Sequence, residues 1–394
     1  MSHDAIPIDQ VRRALVVKLR HHGDVLLSAP VFSALKRVAP QCEVDALVYA
    51  DTVAMLEGHP DIARIFTIDR HWKKQGLRRQ AGAEGQLLAQ LRQRRYDLVV
   101  HLSVHTRGVW LTRLLRPRWS VAPRRPDAGR FWHGSFSHHY AAQSHPHRHT
   151  VDTNLDALRA LGIAVAPGDA RVTLVPGAAA EARVAALLAQ HGLAPQGYIH
   201  LHPASRWGFK CWPAERVAEL CDRLAARGLP LVLTCAPDAN ERELVAAVRA
   251  AAQVPTIDLS GALSLKELAA LTARARLFVG VDSAPMHIAA AMGTPVVAIF
   301  GPSGDREWGP WGTASRVVAS LTHTGRPCGQ AGCDNSKVSD CLTTLPVTQV
   351  LAACEELLDL PPCPLPAEGG DCGSPGSQVQ GCPALGRPGG GADS

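Results

Sequence analysis

Residues 279–303 read Val279-Gly-Val-Asp-Ser-Ala-Pro-Met-His-Ile-Ala-Ala-Ala-Met-Gly-Thr-Pro-Val-Val-Ala-Ile-Phe-Gly-Pro-Ser303. The runs Leu277–Val281 and Val296–Phe300 are short, apolar and bounded by turn residues, the pattern of strands buried on both faces of a parallel sheet. Between them lies a small-residue helix. Asp282 and Ser283 stand where the first strand meets that helix, suited to cap it, and Pro285 fits its first turn. A free helix N-terminus offers backbone N–H groups and a partial positive charge, a seat for an anion such as a diphosphate. The segment reads as a diphosphate cradle at the carboxyl end of a parallel sheet; an ordinary capped βαβ unit would look the same.

Outward from this segment the same alternation recurs. Toward the N-terminus it predicts strands at Ala14–Leu19, Val44–Val48, Ile65–Ile68 and Asp97–His101. Helices are expected at Val25–Val38, near Thr52–Glu57 and at Gln86–Arg95. Beyond an interruption at 123–151, strands are expected at Val172–Val175, Tyr198–Leu201 and Leu231–Thr234. Helices follow at Ala179–Gln190, Pro213–Ala226, Asn240–Ala251, Leu265–Thr272 and Val347–Leu358. Alternating strands and helices mean parallel α/β sheets with right-handed crossovers. The 394 residues suffice for two such domains. The boundaries are read as 1–168 and 169–360, with a linker near Ala166–Asp169. The Pro/Gly-rich tail 361–394 is expected to be disordered, with Cys363, Cys372 and Cys382 as free thiols.

Residues 1–12 lack the apolar core of a secretory signal, and no apolar run reaches the roughly 18–20 residues that span a bilayer. A soluble, cytosolic protein is expected. The net charge of +6 is unevenly placed: fifteen Lys/Arg stand against three acids between Arg70 and Arg130. Such a field points to an anionic partner, namely a phosphorylated glycan or an acidic membrane surface, or else to a merely solvated basic face. Nucleic acid fits poorly, because the patch lacks interleaved aromatics or a reading motif. The histidines of Phe131–His139 and His145–His149 come without paired Cys or carboxylate, and a surface loop fits better than a metal site. Cys328, Cys333 and Cys341 are spaced more widely than zinc pairs, so thiols are favoured over structural zinc.

Four turns carry candidate chemistry. In His21-His-Gly-Asp24, Gly23 permits close backbone approach, and Asp24 is either a helix cap or a general base. In the loop 202–213, Ser205, Arg206 and Lys210 collect a hydroxyl and two cations after one strand, suited to phosphate charge, without a Walker pattern. In 235–243, the carboxylates at a strand end can accept hydrogen bonds from a ribose diol, or simply enrich a helix start in acid. The fourth is Asp282–His287. Ligands of such folds lie outside the carboxyl ends of the strands.

Together Gly23-Asp-Val-Leu-Leu-Ser-Ala-Pro30, Ser205…Lys210-Cys-Trp-Pro213 and Asp282-Ser-Ala-Pro-Met-His287…Gly301-Pro-Ser303 resemble the bacterial lipopolysaccharide heptosyltransferases of glycosyltransferase family 9. The Cys-rich segment with Asp334-Asn-Ser-Lys and Cys341-Leu most resembles the branch that adds the third core heptose. The resemblance implies a GT-B fold of two facing Rossmann-like α/β domains, acceptor on the first and ADP-heptose donor on the second. It implies inverting transfer without a metal to the phosphorylated inner core of lipopolysaccharide, at the cytoplasmic face of the inner membrane. Asp24 then matches the catalytic base and Lys210 the residue that stabilises the leaving diphosphate. Ser205, Arg206, Glu241 or Glu243, Asp282, Ser283, Ala284 and His287 fall at the donor site, and Gly23, Arg107, Arg124 and Arg125 at the acceptor site. Two departures stand out: Ala204-Ser205 replaces a frequent Thr pair, in a loop one residue longer before its Lys, and Ala284 replaces a frequent Gly. A hydrolytic glycosidase would need a second catalytic carboxylate beside Asp24, which the sequence does not offer. A non-catalytic nucleotide-sugar-binding protein, or an epimerase or hydrolase on the same fold, is the alternative.

Overall fold

The computed structural model describes residues 5–74, 76–141 and 148–362. His145 and His147 of the His-rich loop, and the three tail cysteines, lie outside the described residues. The chain divides into two compact units, Met1–Val175 and Pro176–Ser394. Pro167–Ala170 is a short helical turn of the first unit, where Arg37 donates two 2.6 Å hydrogen bonds to the buried Asp169.

The first unit holds β1 (Arg13–Val17), β2 (Glu43–Tyr49), β3 (Arg64–Ile68), β4 (Leu98–His101), β5 (Trp119–Pro123) and β6 (His138–Tyr140) in one parallel sheet, ordered β3-β2-β1-β4-β5-β6. The second holds β7 (Ile199–His202), β8 (Leu231–Leu233), β9 (Ile257–Asp258), β10 (Leu277–Val281), β11 (Val296–Phe300) and β12 (Ser315–Ala319), ordered β12-β11-β10-β7-β8-β9 and again parallel. Read from the opposite edge, this is the order of the first sheet. Both therefore reverse direction between their first and fourth strands, the switch point where open α/β sheets seat their ligands.

β10 is buried from end to end because it is covered on both faces. Gly280 is needed within it: a Cβ there would lie 2.7 Å from the Phe278 ring and 2.9 Å from the carbonyl of His202 on β7. The helix Ala214–Leu224 buries Val217, Ala218, Leu220, Cys221 and Leu224, one stripe at helical spacing. Val347–Leu358 packs against that helix and β10–β12. Leu265–Ala273 begins with a capping box, in which Ser264 Oγ accepts from Glu267 N and the Glu267 carboxylate accepts from Ser264 N.

Several sequence expectations change. Val25–Val38 is two helices, His22–Leu26 and Ala29–Val38, and the turn near Thr52 is 3-10 rather than α. Val172–Val175 forms no strand: Val172 and Leu174 alternate inward, but no neighbouring strand pairs with them. The interrupted region contains β6 and a short helix, Arg130–His133.

A hydrogen-bonded relay locks the centre of the second sheet. Thr272 Oγ1 donates to Leu268 O at 2.7 Å, so it accepts from His200 Nδ1 at 3.0 Å. His200 Nε2 is then an acceptor, so Thr234 Oγ1, 2.7 Å away, donates to it and accepts from His202 Nδ1 at 2.8 Å. The chain of protons has one direction and requires a neutral His200. Burial accordingly pushes His200 far below its usual range and His202 down to about 4. A histidine with a lowered folded pKa contributes stability that is complete above its unfolded value near 6.5 and is lost as pH falls toward 4. Each such proton changes stability by about 1.4 kcal/mol per pH unit in that window. The melting temperature should therefore drop steeply between pH 6.5 and 4, and less steeply in His202→Asn, which removes one of the two titrating rings. A melting temperature flat across that window would refute the neutral, buried state of these histidines.

Candidate active site

In the second unit the two decisive turns lie on adjacent strands at the switch point. The loop after β7 carries Ser205 and Lys210; the turn after β10 carries Asp282 to His287. Lys210, in the short turn Gly208–Lys210, donates to Asp282 Oδ2 at 2.5 Å. The Asp282 side chain is 8% exposed and that of Lys210 22%. An ammonium has three donors, so this pair leaves Lys210 two more to offer.

Neither Asp282 nor Ser283 caps the helix Ala284–Ala291, contrary to expectation. Ser283 is the N-cap residue, yet its hydroxyl makes no cap bond, and Ser283 Oγ is buried without a partner among the described residues. Ser205 Oγ accepts only a long 3.3 Å bond from Trp207 N. The turn thus presents two weakly engaged hydroxyls, a lysine and a helix N-terminus together. His287 is buried in the first turn, its ring edge-on to Trp308 at 6.5 Å. Arg206 is exposed, with its guanidinium 5.5 Å from the Trp207 ring centre.

After β8, Asp238 caps the helix Ala239–Ala251 by accepting from Asn240 N and Glu241 N. Glu241 is consequently not a cap. It is buried, accepts from Ala236 N at 2.9 Å, and burial pushes its carboxyl above the usual range. Glu243 is exposed on the helix. After β11, Arg326 Nε donates to Gly301 O at 2.5 Å, a cation that motif reading passed over because it lies 25 residues from the strand it serves.

In the first unit, Asp24 is not a helix cap either: it is the third residue of His22–Leu26, whose N-cap is His21. Its carboxylate receives Arg20 Nε at 3.3 Å. Beneath this turn Lys18 is buried at the end of β1, donating to Asn154 Oδ1 at 3.0 Å and Leu102 O at 3.1 Å. Asn154 Nδ2 in turn donates to Leu27 O, tying the turn to the sheet. Burial lowers Lys18 to about 8, partly offset by the Asp24 charge. Lys18 and Asn154 were not legible as a pair across 136 residues. In the turn after β4, across the switch point, Ser103 Oγ accepts from Leu19 N at 2.9 Å.

The basic residues assigned to an acceptor differ in their engagement. Arg107 is paired with Glu84. Arg125 donates to Val104 O and to Asp127, and Arg124 is exposed. Cys328 is exposed, Cys333 half-buried and Cys341 buried, all as free thiols.

A family profile, glycosyltransferase family 9 (heptosyltransferase), matches residues 85–339. Lipopolysaccharide heptosyltransferase 3 of Escherichia coli is 33% identical over 86% of this chain and 97% of its own length. The chain belongs to glycosyltransferase family 9. The fold of this glycosyltransferase agrees: a family 9 glycosyltransferase from Veillonella parvula superposes with a TM-score of 0.74 at 23% identity, covering 90% of this chain and 99% of that one. The Escherichia coli heptosyltransferase WaaC, solved with ADP-2-deoxy-2-fluoro heptose, superposes at 0.63 with 22% identity, covering 87% and 99%. Two Rossmann-like parallel units make this enzyme a GT-B glycosyltransferase. Among its described residues no helix is long and apolar enough to cross a membrane.

Proposed function

We propose that this enzyme transfers a heptose from ADP-heptose to the phosphorylated inner core of lipopolysaccharide, inverting the anomeric centre. The observation that carries the donor half is the Lys210–Asp282 contact at the switch point, with the weakly engaged hydroxyl of Ser205 and the unpartnered hydroxyl of Ser283 in the same two turns. Diphosphate oxygens take the two remaining donors of Lys210, the hydroxyls and the N-terminus of Ala284–Ala291. His287, Arg206 and the backbone at Ala284 line the same turns. Glu241, buried at the neighbouring strand end, receives the ribose diol in preference to Glu243. Arg107, Arg124, Arg125 and the Gly23 turn serve the phosphorylated acceptor.

In the reaction the acceptor oxygen bonds to the anomeric carbon while its proton passes to the Asp24 carboxylate. The bond from that carbon to the diphosphate breaks, and its electron pair leaves with ADP. A glycosyl diphosphate already carries a good leaving group, so positioning and charge neutralisation are sufficient. No metal takes part in this scheme. The enzyme acts at the cytoplasmic face of the inner membrane, where its lipid-linked acceptor is made.

Incubation with ADP-heptose and defined truncated core acceptors, read by mass spectrometry, should add a single heptose, at the same rate in EDTA. ADP binding with no product would favour a binding protein. Hydrolysis or epimerisation without acceptor would favour another enzyme class. Activity lost in EDTA and restored by Mg²⁺ would refute the metal-free scheme.

A further inference from the structure

The helix Thr106–Leu115 buries Gly108, Val109, Leu111 and Thr112 and turns Trp110 and Leu114 outward, one helical turn apart. Trp110 is 57% exposed and Leu114 40%. Phe131, from the short helix Arg130–His133 and 43% exposed, meets the Trp110 ring at 5.0 Å. Arg113 lies over Phe131, 4.5 Å from the ring centre, and donates to Ser135 Oγ at 2.6 Å. Three large apolar side chains thus stand together in solvent, which isolated surface hydrophobics do not do. The basic run, read from sequence as lacking interleaved aromatics, carries them at its surface.

The surrounding charge has one sign. Residues 98–126 contain six Arg and no Asp or Glu. Arg113, Arg116, Arg124 and Arg130 are exposed and enter no ion pair among the described residues. Aromatic rings beside unpaired guanidinium groups match a bilayer interface, where Trp and Phe sit at headgroup depth and Arg meets lipid phosphate. A second copy of the chain would bring the same positive face against itself, which argues against self-association.

We infer that Trp110, Leu114 and Phe131, flanked by Arg113, Arg116 and Arg130, dock the first unit on an anionic bilayer. This gives the membrane part of the proposed function a defined surface and is independent of the transfer chemistry. The test is sedimentation of the full chain with phosphatidylglycerol-containing vesicles and with phosphatidylcholine alone, with no sugar nucleotide or acceptor present. Binding should require the anionic lipid and weaken with salt. Trp110→Ser/Phe131→Ser and Arg113→Gln/Arg116→Gln should each lose about tenfold or more in partitioning. Both should keep the wild-type melting temperature and unchanged transfer to a water-soluble acceptor. Equal binding to neutral vesicles, or unaltered partitioning in the aromatic variant, would overturn the inference. So would loss of soluble-acceptor transfer in that variant, or a dimer or single-stranded RNA complex abolished by the same substitutions without vesicle binding.

Discussion

Asp24→Ala should lower turnover by about 10²- to 10⁴-fold, the range attributable to a positioned general base, while ADP affinity stays near the wild-type value. The two halves of this expectation have separate structural grounds. Asp24 belongs to the unit ending at Val175, whereas the Lys210–Asp282 turn belongs to the other. Its carboxylate is positioned from below: Lys18, fixed by Asn154 and Leu102, anchors the end of β1, and Asn154 holds Leu27 O just past the helix. Arg20 is the cation that hydrogen-bonds it among the described residues, and 12% of the Asp24 side chain remains exposed. Asp24→Asn keeps the size and should be as slow as the alanine variant. Single-turnover rates with calorimetric ADP binding read both quantities. Near-normal turnover in either variant would remove Asp24 as the base, and lost ADP binding would mean that it acts on the donor instead.

The second large effect is expected at Lys210. Lys210→Ala removes the cation proposed to face the leaving diphosphate, a change of about 10²- to 10³-fold for one electrostatic contact in a preorganised site. It also strands Asp282, whose side chain is 8% exposed, without its counter-ion. An unpaired buried carboxylate is destabilising by up to about 3 kcal/mol here. The two consequences separate in a double variant. Lys210→Ala/Asp282→Asn should recover the melting temperature because the buried charge is gone, yet remain as slow as the single variant. If activity returned with stability, Lys210 would have only a structural role. A weakened ADP affinity in the single variant, absent from Asp24→Ala, would complete the contrast.

The central strands and the turns after them were legible in sequence because each is a continuous apolar run closed by polar turn residues. β10, β11 and the helix between them appear where residues 277–300 placed them. The strands that escaped notice are mostly at or near sheet edges. β9 has two residues, β6 is His138-His-Tyr140, and β12 is half-exposed with Arg316 inside it, so none shows the pattern of double-sided burial. Val172–Val175 misled for the opposite reason: its alternation is real, but it packs without a strand partner. In the candidate site, residue types were legible and pairings were not. Lys210 and Asp282 are 72 positions apart, and His202 and Thr234 are 32 apart. Only the strand order makes them neighbours. The capping roles given to Asp24, Asp282 and Ser283 failed because a polar residue at a helix start is equally compatible with a side chain turned away from the helix N–H groups. In the actual turns those groups are left to a lysine, an arginine or nothing at all.

The identical strand order of the two units means that one wiring plan has been used twice, with different content at equivalent positions. The turn after the leading strand holds an acid in one unit, Asp24, and a lysine in the other, Lys210. The turn after the fourth strand holds Ser103 and the start of an arginine-bearing helix in one, and Asp282 with a small-residue helix in the other. At the switch point, four connections carry different content on a repeated strand order. Acid, cation and hydroxyl have been distributed among those connections without altering a single strand neighbour.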